Sequence, residues 1–246
     1  SANFAKATKD TTITLNKTQV KKLIYGPGMR TIFSAGDDGT FVTYDLVKHK
    51  AIPLNGNRPI TAAAVSLDRM SYFIAKEGDV RIHQYDIFGK ELKTFSGHTN
   101  DITDLLVTVD RKFLISSSKD KTIRIWNIAT GIEDTKWEDH TWAVTDIDID
   151  PLGRYLASCG LDGVVNLYEM KTKSLKDSFH IKNHKINAVA ISPNYTTIAA
   201  AAHPNNVTDP SGYYILQTGI PARKVLVAKP IDLEALQTAY AEKEAK

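Results

Sequence analysis

The chain has 246 residues, 42% of them hydrophobic and 24% charged, and carries a formal net charge of +3 at pH 7. This composition supports a substantial core and excludes global disorder, and no apolar run approaches the roughly 18 residues of a membrane helix. Because the basic residues are scattered among acidic ones, the charge alone predicts no strong affinity for nucleic acid.

Two local features bear on the compartment. The first ten residues, SANFAKATKD, contain no apolar stretch of the kind found in a secretory signal. The single cysteine, Cys159, cannot form an internal disulfide, and it lies in the run YLASCG, where a buried and inert thiol is expected. These features favour an intracellular protein, in the cytoplasm or the nucleus.

Short runs of β-type residues follow one another along the chain, with turn residues between them. TTITL (residues 11–15) comes first and is predicted to be an outer strand. The next stretches have the form of PITAAAVSL, SYFIAK, DVRIHQYDI and ELKTF, and the last ones are TTIAAAAH, an insertion PNNVTDPSG, YYILQT and RKVLVA. Short runs of alternating polarity predict antiparallel sheets.

A repeat period underlies these runs. Four aspartates recur at spacings of 41, 41 and 42 residues: Asp38, Asp79, Asp120 and Asp162. Three further positions recur at constant distances from each anchor, at 22 residues before it, 4 before it and 6 after it. In the four repeats these positions hold, in that order, Asn16, Ser34 and Tyr44; Asn57, Ala75 and Tyr85; His98, Ser116 and Trp126; and His140, Ser158 and Tyr168. A fifth copy begins at His184, with Asn206 in place of the aspartate. A period of about 40 to 45 residues is typical of propeller blades.

On these residues the chain resembles the WD40-repeat family over residues 11 to 228. The matching features are Gly97-His98, the turns Asp38-Gly39, Asp120-Lys121 and Asp162-Gly163, and the strand ends Tyr44-Asp45, Tyr85-Asp86, Trp126-Asn127 and Tyr168-Glu169. None of the strand ends is a literal Trp-Asp. The last repeat is similar to the closing blade of the mitotic-checkpoint and mRNA-export propellers.

The resemblance implies an all-β, WD40-type β-propeller of four-stranded antiparallel blades within residues 1–230. Its repeats are expected at about 16–56, 57–97, 98–139, 140–183 and 184–229. Members of the family usually have seven blades, so the chain is either a five-bladed ring, closed by TTITL, or the C-terminal part of a larger propeller. We favour the second alternative, in which RKVLVA closes the last blade and TTITL belongs to a preceding one. Residues 231–246 are predicted to form a short helical tail that packs on the propeller or docks a partner.

His98, Ser116 and Asp120 could form a hydrolase triad. However, His140, Ser158 and Asp162 repeat the same set, and no G-x-S-x-G motif occurs. In the family these positions form a structural relay in which the aromatic residue, serine, histidine and aspartate hydrogen-bond in series. The resemblance therefore implies that His98, Ser116, Asp120 and Trp126, and likewise His140, Ser158, Asp162 and Tyr168, fasten a blade, and we expect no catalytic site.

The histidines show no H-E-x-x-H pair, and GPGMR lacks the Lys-Ser/Thr of a phosphate loop, so no metal site, cofactor or small-molecule substrate is expected. Partners of WD40 proteins are most often held on one ring of loops, and position by position this implies the candidates Gln19, Lys21, Asp37, Asp101, Lys119, Trp142, Leu161 and Asn187. Among them Trp142 is favoured, because aromatic residues dominate binding hot spots.

The preferred function is therefore a non-catalytic protein–protein interaction scaffold, a subunit of a multi-protein eukaryotic complex. Two alternatives stay open: an RNA-associated subunit of a ribonucleoprotein, and a propeller enzyme. Salt-dependent RNA binding would favour the first, and turnover lost in Ser116→Ala but not in Ser158→Ala would favour the second.

Overall fold

The computed structural model describes residues 20–25, 31–55, 58–66, 71–86, 88–205 and 212–220. Within them, nineteen strands form five antiparallel sheets, which we number as blades 1 to 5 in chain order. Blade 1 contains β1 (Val20–Tyr25), β2 (Thr31–Gly36), β3 (Thr40–Asp45) and β4 (Lys50–Asn55). Blade 2 contains β5 (Ile60–Val65), β6 (Ser71–Lys76), β7 (Ile82–Asp86) and β8 (Glu91–Phe95).

The remaining blades follow the same order. Blade 3 contains β9 (Ile102–Val107), β10 (Phe113–Ser118), β11 (Ile123–Asn127) and β12 (Glu133–Trp137). Blade 4 contains β13 (Val144–Ile149), β14 (Tyr155–Gly160), β15 (Val164–Glu169) and β16 (Ser174–His180). Blade 5 contains β17 (His184–Ile191), β18 (Thr197–Pro204) and β19 (Gly212–Gln217).

The prediction of an all-β fold made of four-stranded antiparallel sheets is confirmed. In each four-stranded sheet the strands pair with their neighbours in sequence, as in a meander. The predicted outer strand TTITL, the strand RKVLVA and the C-terminal helix lie outside the described residues. Among the residues that are described, no helix has the length and hydrophobicity that a membrane span requires.

The first strands of successive blades lie side by side in the order β1, β5, β9, β13 and β17. Between each pair of neighbouring blades the facing side chains form one buried apolar cluster. Between blades 2 and 3, for example, Phe73 and Phe95 meet Leu105 and Trp126. The inner blades are therefore buried on both faces, which explains why strands such as FLISSS and YLASCG carry few charges.

Because consecutive strands run in opposite directions, their loops alternate between the two ends of the sheets. We call upper face the end with the loops between the second and third strands and the connections between blades. The lower face carries the loops between the first and second strands and between the third and fourth strands.

The turns between second and third strands follow from their sequences. In blades 1, 3 and 4 the residue after the anchor aspartate has a positive φ: Gly39, Lys121 and Gly163 at 76° each. A Cβ on Gly39 would lie 2.4 Å from the backbone oxygen of Arg58, and one on Gly163 would lie 2.6 Å from that of His184. Glycine is thus required at these two turns by space as well as by conformation.

Blade 2 departs from the offsets of the sequence. Its left-handed residue is Gly78, which precedes Asp79, and Tyr85 pairs with Tyr72. Since Trp126 pairs with Leu114, two residues before Ser116, the residue equivalent to Ser116 is Ile74. The assignment of Ala75 to this position was therefore wrong by one residue, because this turn is built differently.

Candidate interaction face

Blade 3 holds four polar side chains in series near the upper face. Asp120 Oδ2 lies 2.8 Å from His98 Nδ1, His98 Nε2 lies 2.7 Å from Ser116 Oγ, and Trp126 Nε1 donates to Ser116 Oγ at 2.8 Å. Because the carboxylate can only accept, Nδ1 carries the proton and Nε2 accepts from the serine hydroxyl. Each member thereby satisfies the next.

Asp120 also fixes the loop around it. Its carboxylate accepts from the backbone N–H groups of Thr99 at 3.0 Å and Thr122 at 2.9 Å, and from the Thr122 hydroxyl at 2.7 Å. Burial disfavours ionisation of Asp120, but the hydrogen bonds from His98 and Thr122 outweigh it, so the pKa of this carboxyl is lowered. The aspartate is therefore held in the charged form that its partners need.

Blade 4 repeats the arrangement with tyrosine in place of tryptophan. His140 Nδ1 lies 3.0 Å from Asp162 Oδ2, and His140 Nε2 lies 2.8 Å from Ser158 Oγ. The Tyr168 hydroxyl hydrogen-bonds Ser158 and accepts from Asn166 Nδ2 at 3.3 Å. Tyr168 thus has an additional partner that Trp126 lacks in blade 3.

The two serines are inaccessible. Ser116 and Ser158 are each 0% exposed, and the Oγ of Ser116 is occupied by an indole N–H and by an imidazole. A nucleophile must reach the atom that it attacks, and neither hydroxyl faces solvent or an open cleft. The three side chains have the geometry of a catalytic triad, but their burial suits a structural role in holding the strands and loops of the blade together.

Blade 2 uses another histidine. His83 Nε2 lies 3.0 Å from Asp79 Oδ2, and its Nδ1 lies 3.3 Å from Glu91. Arg81 also donates to Asp79, and this contact together with His83 lowers the pKa of Asp79. The period did not predict this cluster, because His83 lies on the third strand and not in the loop before the blade.

In blade 5, His184 takes a different set of partners. Its Nδ1 lies 2.8 Å from the backbone oxygen of Lys182, and its Nε2 lies 3.3 Å from the hydroxyl of Tyr214. Asn206, which stands at the anchor position in the sequence, is outside the described residues.

A second polar group, which we call the axis cluster, lies among the first strands and consists of Lys22, Asp104, Asp146 and Asp148. Lys22 Nζ lies 2.7 Å from Asp104 Oδ1. Asp146 Oδ2 accepts from the backbone N–H of Val189 at 2.8 Å, and Asp148 Oδ2 accepts from that of Ile191 at the same distance. The two carboxylates thus link β13 of blade 4 to the backbone of β17 in blade 5.

The pKa of Asp146 is raised to about 7, first by burial and then by its hydrogen bond and repulsion with Asp104. Burial also raises the pKa of Asp148. The offsets used above do not point to these residues, although Asp104 and Asp146 each lie six residues after the histidine of their repeat. Only the arrangement of the blades brings them together.

Of the predicted partner-binding residues, two meet at one groove on the upper face. Trp142, which is 58% exposed, lies in the connection before blade 4, and Leu161 lies in the β14–β15 turn. They line a groove of about 400 Å³, which we call the Trp142 groove; its other residues are Thr141, Asp162, Lys185 and Asn205. Lys185 and Asn205 belong to blade 5 and were missed, because the sequence period does not show which blades share a groove.

The other candidates are spread over the structure. Asp101 and Lys119 pair with each other at 3.0 Å, and Asp101 also accepts from the backbone N–H of Gly78. Asp37 is half-buried in the β2–β3 turn, and Asn187 is exposed on β17 outside the residues lining the Trp142 groove. The backbone of Lys21 belongs to β1, whereas its side chain and the whole of Gln19 lie outside the described part of the chain.

Cys159 is buried, and burial raises the pKa of its thiol to about 12. It is therefore a poor nucleophile. Within the ranges that the structure describes, no group of three or more His, Cys, Asp or Glu side chains is arranged to hold a metal ion.

Two stretches of the chain match a known repeat. The family model "WD domain, G-beta repeat" matches residues 89–127 and 133–169. The chain is 25% identical to a subunit of chromatin assembly factor 1 of Gallus gallus over 61% of this chain and 23% of that protein. It is 25% identical to the beta subunit of the guanine nucleotide-binding protein of Saccharomyces cerevisiae over 81% of this chain and 53% of that protein.

A further relative is the target of rapamycin complex subunit wat1 of Schizosaccharomyces pombe, which is 32% identical over 42% of this chain and 33% of that protein. The chain spans about half or less of the length of each of these three relatives. The matched repeats include the blades whose hydrogen-bond chains are described above.

Proposed function

Because the chain contains WD40 repeats, we propose that it is a non-catalytic scaffold that binds partner proteins within a multi-protein assembly. The Trp142 groove is the site to which we assign partner binding. The relay residues of blades 3 and 4 hold the loops around it and take no part in chemistry.

The observation that carries this proposal is the exposure of a large aromatic side chain beside a groove of mixed character. Trp142 and Leu161 supply apolar surface, and Lys185 supplies a cation from the neighbouring blade. Tryptophan is the residue type most enriched in binding hot spots, and burying an indole on binding releases a large apolar area. Such a groove suits a peptide segment with an apolar anchor and an acidic group.

The loops around the groove are rigid, which favours binding. Asp162 lines it and is fixed by His140, by the backbone N–H of Thr141 at 2.8 Å and by that of Val164 at 3.1 Å. Binding of a partner therefore costs little conformational entropy in these loops. In this way the buried hydrogen-bond chain contributes to recognition without contacting the partner.

The names of the relatives support the same conclusion. The proteins from Gallus gallus, Saccharomyces cerevisiae and Schizosaccharomyces pombe are each named as a subunit of a larger assembly. A non-catalytic subunit also agrees with the burial of both relay serines, because a buried hydroxyl can stabilise the blade but cannot reach a substrate.

Affinity capture of the tagged protein from its own cells, with quantitative mass spectrometry, tests the proposal. We expect Trp142→Ala to reduce recovery of the specific partners by about tenfold or more, as for a hot-spot residue. Tyr213→Ala serves as the matched control, because Tyr213 is also an exposed aromatic residue but lies on β19 outside the groove. It should leave recovery unchanged.

Equal recovery with the wild type and Trp142→Ala would contradict the assignment of the groove. A ribonuclease arm separates the RNA-associated alternative: partners that disappear after ribonuclease treatment are held through RNA. Unchanged thermal unfolding of Trp142→Ala ensures that a loss of binding is not a loss of fold.

A further inference from the structure

The lower face carries a second groove, between blades 3 and 4, of about 260 Å³. Its apolar lining includes Val109, Phe113, Leu152 and Met170. Phe113 and Met170 pack against the buried cluster that joins the two blades, whereas Val109 and Leu152 are 46% and 65% exposed. Two exposed aliphatic side chains beside an apolar floor leave surface whose burial by a partner would be favourable.

Three exposed cations lie at or next to this floor. Lys171 lines the groove, and Arg111 and Lys112 stand in the β9–β10 loop between its lining residues Asp110 and Phe113. All three side chains are exposed, and within the described ranges none of them forms an ion pair. We call the apolar floor with these three cations the basic groove.

The nearby carboxylates offset only part of this charge: Asp110 lowers it, since Lys112 favours its ionised form, whereas Asp150 and Asp134 are paired with cations outside the set of three. Asp110 accepts from the Thr108 hydroxyl at 2.6 Å and from the backbone N–H of Lys112 at 3.1 Å. Asp150 is 0% exposed and accepts from the backbone and guanidinium of Arg154. Asp134 is bound by Lys173.

The walls are fixed by contacts between and within the blades. Trp137 Nε1 of blade 3 donates to the backbone oxygen of Lys173 of blade 4 at 3.0 Å. The backbone N–H of Met170 donates to the oxygen of Arg154 at 2.8 Å. The groove is therefore preorganised, and binding does not require its loops to order.

Size and charge decide the occupant. Pockets for drug-sized molecules have volumes of roughly 300–1,000 Å³, and this groove is smaller and more open, so it suits one or two side chains of an extended segment. Unpaired cations on its rim complement carboxylates. We propose that the basic groove binds an acidic peptide segment of a partner protein, with an aliphatic side chain on the floor and carboxylates beside Arg111, Lys112 and Lys171.

This site is independent of the Trp142 groove, since the two lie on opposite faces. A scaffold with both sites can hold two partners at once, one on each face. Binding in the basic groove can therefore be tested separately from binding in the Trp142 groove.

The test uses fluorescence anisotropy with the full chain and a fluorescein-labelled peptide of alternating glutamate and leucine. We expect saturable binding that weakens about tenfold in Lys171→Glu and in Leu152→Asp. Lys90→Glu is the matched charge control, because Lys90 is an exposed lysine in blade 2, away from the groove. It should change the affinity less than about twofold. A peptide with lysine in place of glutamate should not bind.

Three results would overturn the proposal. One is the absence of saturation with up to about 1 mM protein. Another is equal binding of the glutamate and lysine peptides, which would indicate apolar association without charge selection. The third is loss of affinity in Trp142→Ala with none in Leu152→Asp, which would place the peptide on the upper face. Thermal unfolding of each variant verifies that it is folded.

Discussion

Two groups of buried carboxylates in the described part of this protein behave in opposite ways. At the upper face, Asp120 and Asp162 are surrounded by donors, and their pKa values are lowered. In the axis cluster, Asp146 faces another carboxylate, and its pKa is raised to about 7. Burial disfavours the charged form in both regions, so the number of donors decides the outcome.

The difference reflects where the partners come from. The groups that donate hydrogen bonds to Asp120 all come from one repeat, within 22 positions of it in the sequence. Asp146 meets Asp104 from the preceding blade and Val189 from the following one. Within a repeat, a histidine, a serine and an aspartate can be matched as a set. The axis cluster instead takes its residues from blades 1, 3 and 4, so a carboxylate of one blade can meet a carboxylate of another.

The largest expected effect is the loss of a carboxylate that has many donors. Asp120→Ala leaves His98, Thr99 N–H and Thr122 without their acceptor, and we expect a loss of about 3 kcal/mol in the free energy of unfolding. Chemical denaturation measures it. Asp79→Ala is the control: Asp79 binds the half-exposed Arg81, and His83 keeps Glu91, so about 1 kcal/mol is expected. Equal losses would show that burial of the donors does not matter.

The next effect concerns the serines. Ser116→Ala leaves the indole N–H of Trp126 unpaired, and we expect about 2 kcal/mol of destabilisation. Ser158→Ala should cost about 1 kcal/mol, because Tyr168 keeps Asn166. In a double-mutant cycle, Trp126→Phe should cost less in the Ser116→Ala background than in the wild type, because the two groups satisfy each other. Additive losses would count against the hydrogen bond as a source of stability.

The resemblance to the WD40 family implied the relay of blades 3 and 4, and its residues could be located in the sequence because each set belongs to one repeat and keeps constant offsets. The same offsets failed in blade 2, where the left-handed residue precedes Asp79 and Ile74 takes the serine position. Strand order and sheet composition followed from alternating polarity. Lys185, Asn205 and the axis cluster were missed because their contacts join different blades, and which side chains meet there depends on how the blades pack.

The two regions should also differ in their response to pH. Folding raises the pKa of Asp146 from about 3.9 to about 7. Its contribution to stability is therefore fully present below about pH 3.9 and is lost as the pH rises to about 7. Asp146→Asn has no proton to lose and can still accept from Val189. We expect its free energy of unfolding to exceed that of the wild type by about 1 to 2 kcal/mol at pH 8 and to equal it near pH 4.

Asp120 should have the opposite sign. Its lowered pKa stabilises the fold above about pH 3.9, and this contribution is lost as the pH falls below that value. The loss caused by Asp120→Ala should therefore shrink in acid, while the gain from Asp146→Asn grows in alkali. Denaturation curves from pH 3 to pH 8 for both variants would reveal parallel pH profiles if the two regions did not differ in this way.

The smallest effect concerns the cation of the axis cluster. Lys22 lowers the pKa of Asp146 and pairs with Asp104, but its side chain is 41% exposed, so Lys22→Met should cost less than about 1 kcal/mol at pH 8. Its specific signature is a shift of the plateau: the stability difference between wild type and Asp146→Asn should level off at a higher pH, and at a larger value, when both carry Lys22→Met. Lys90→Met, on the exposed surface of blade 2, should leave that pH unchanged. An unshifted plateau in the Lys22→Met background would mean that the cation is screened by solvent and that burial with Asp104 alone sets the protonation of Asp146.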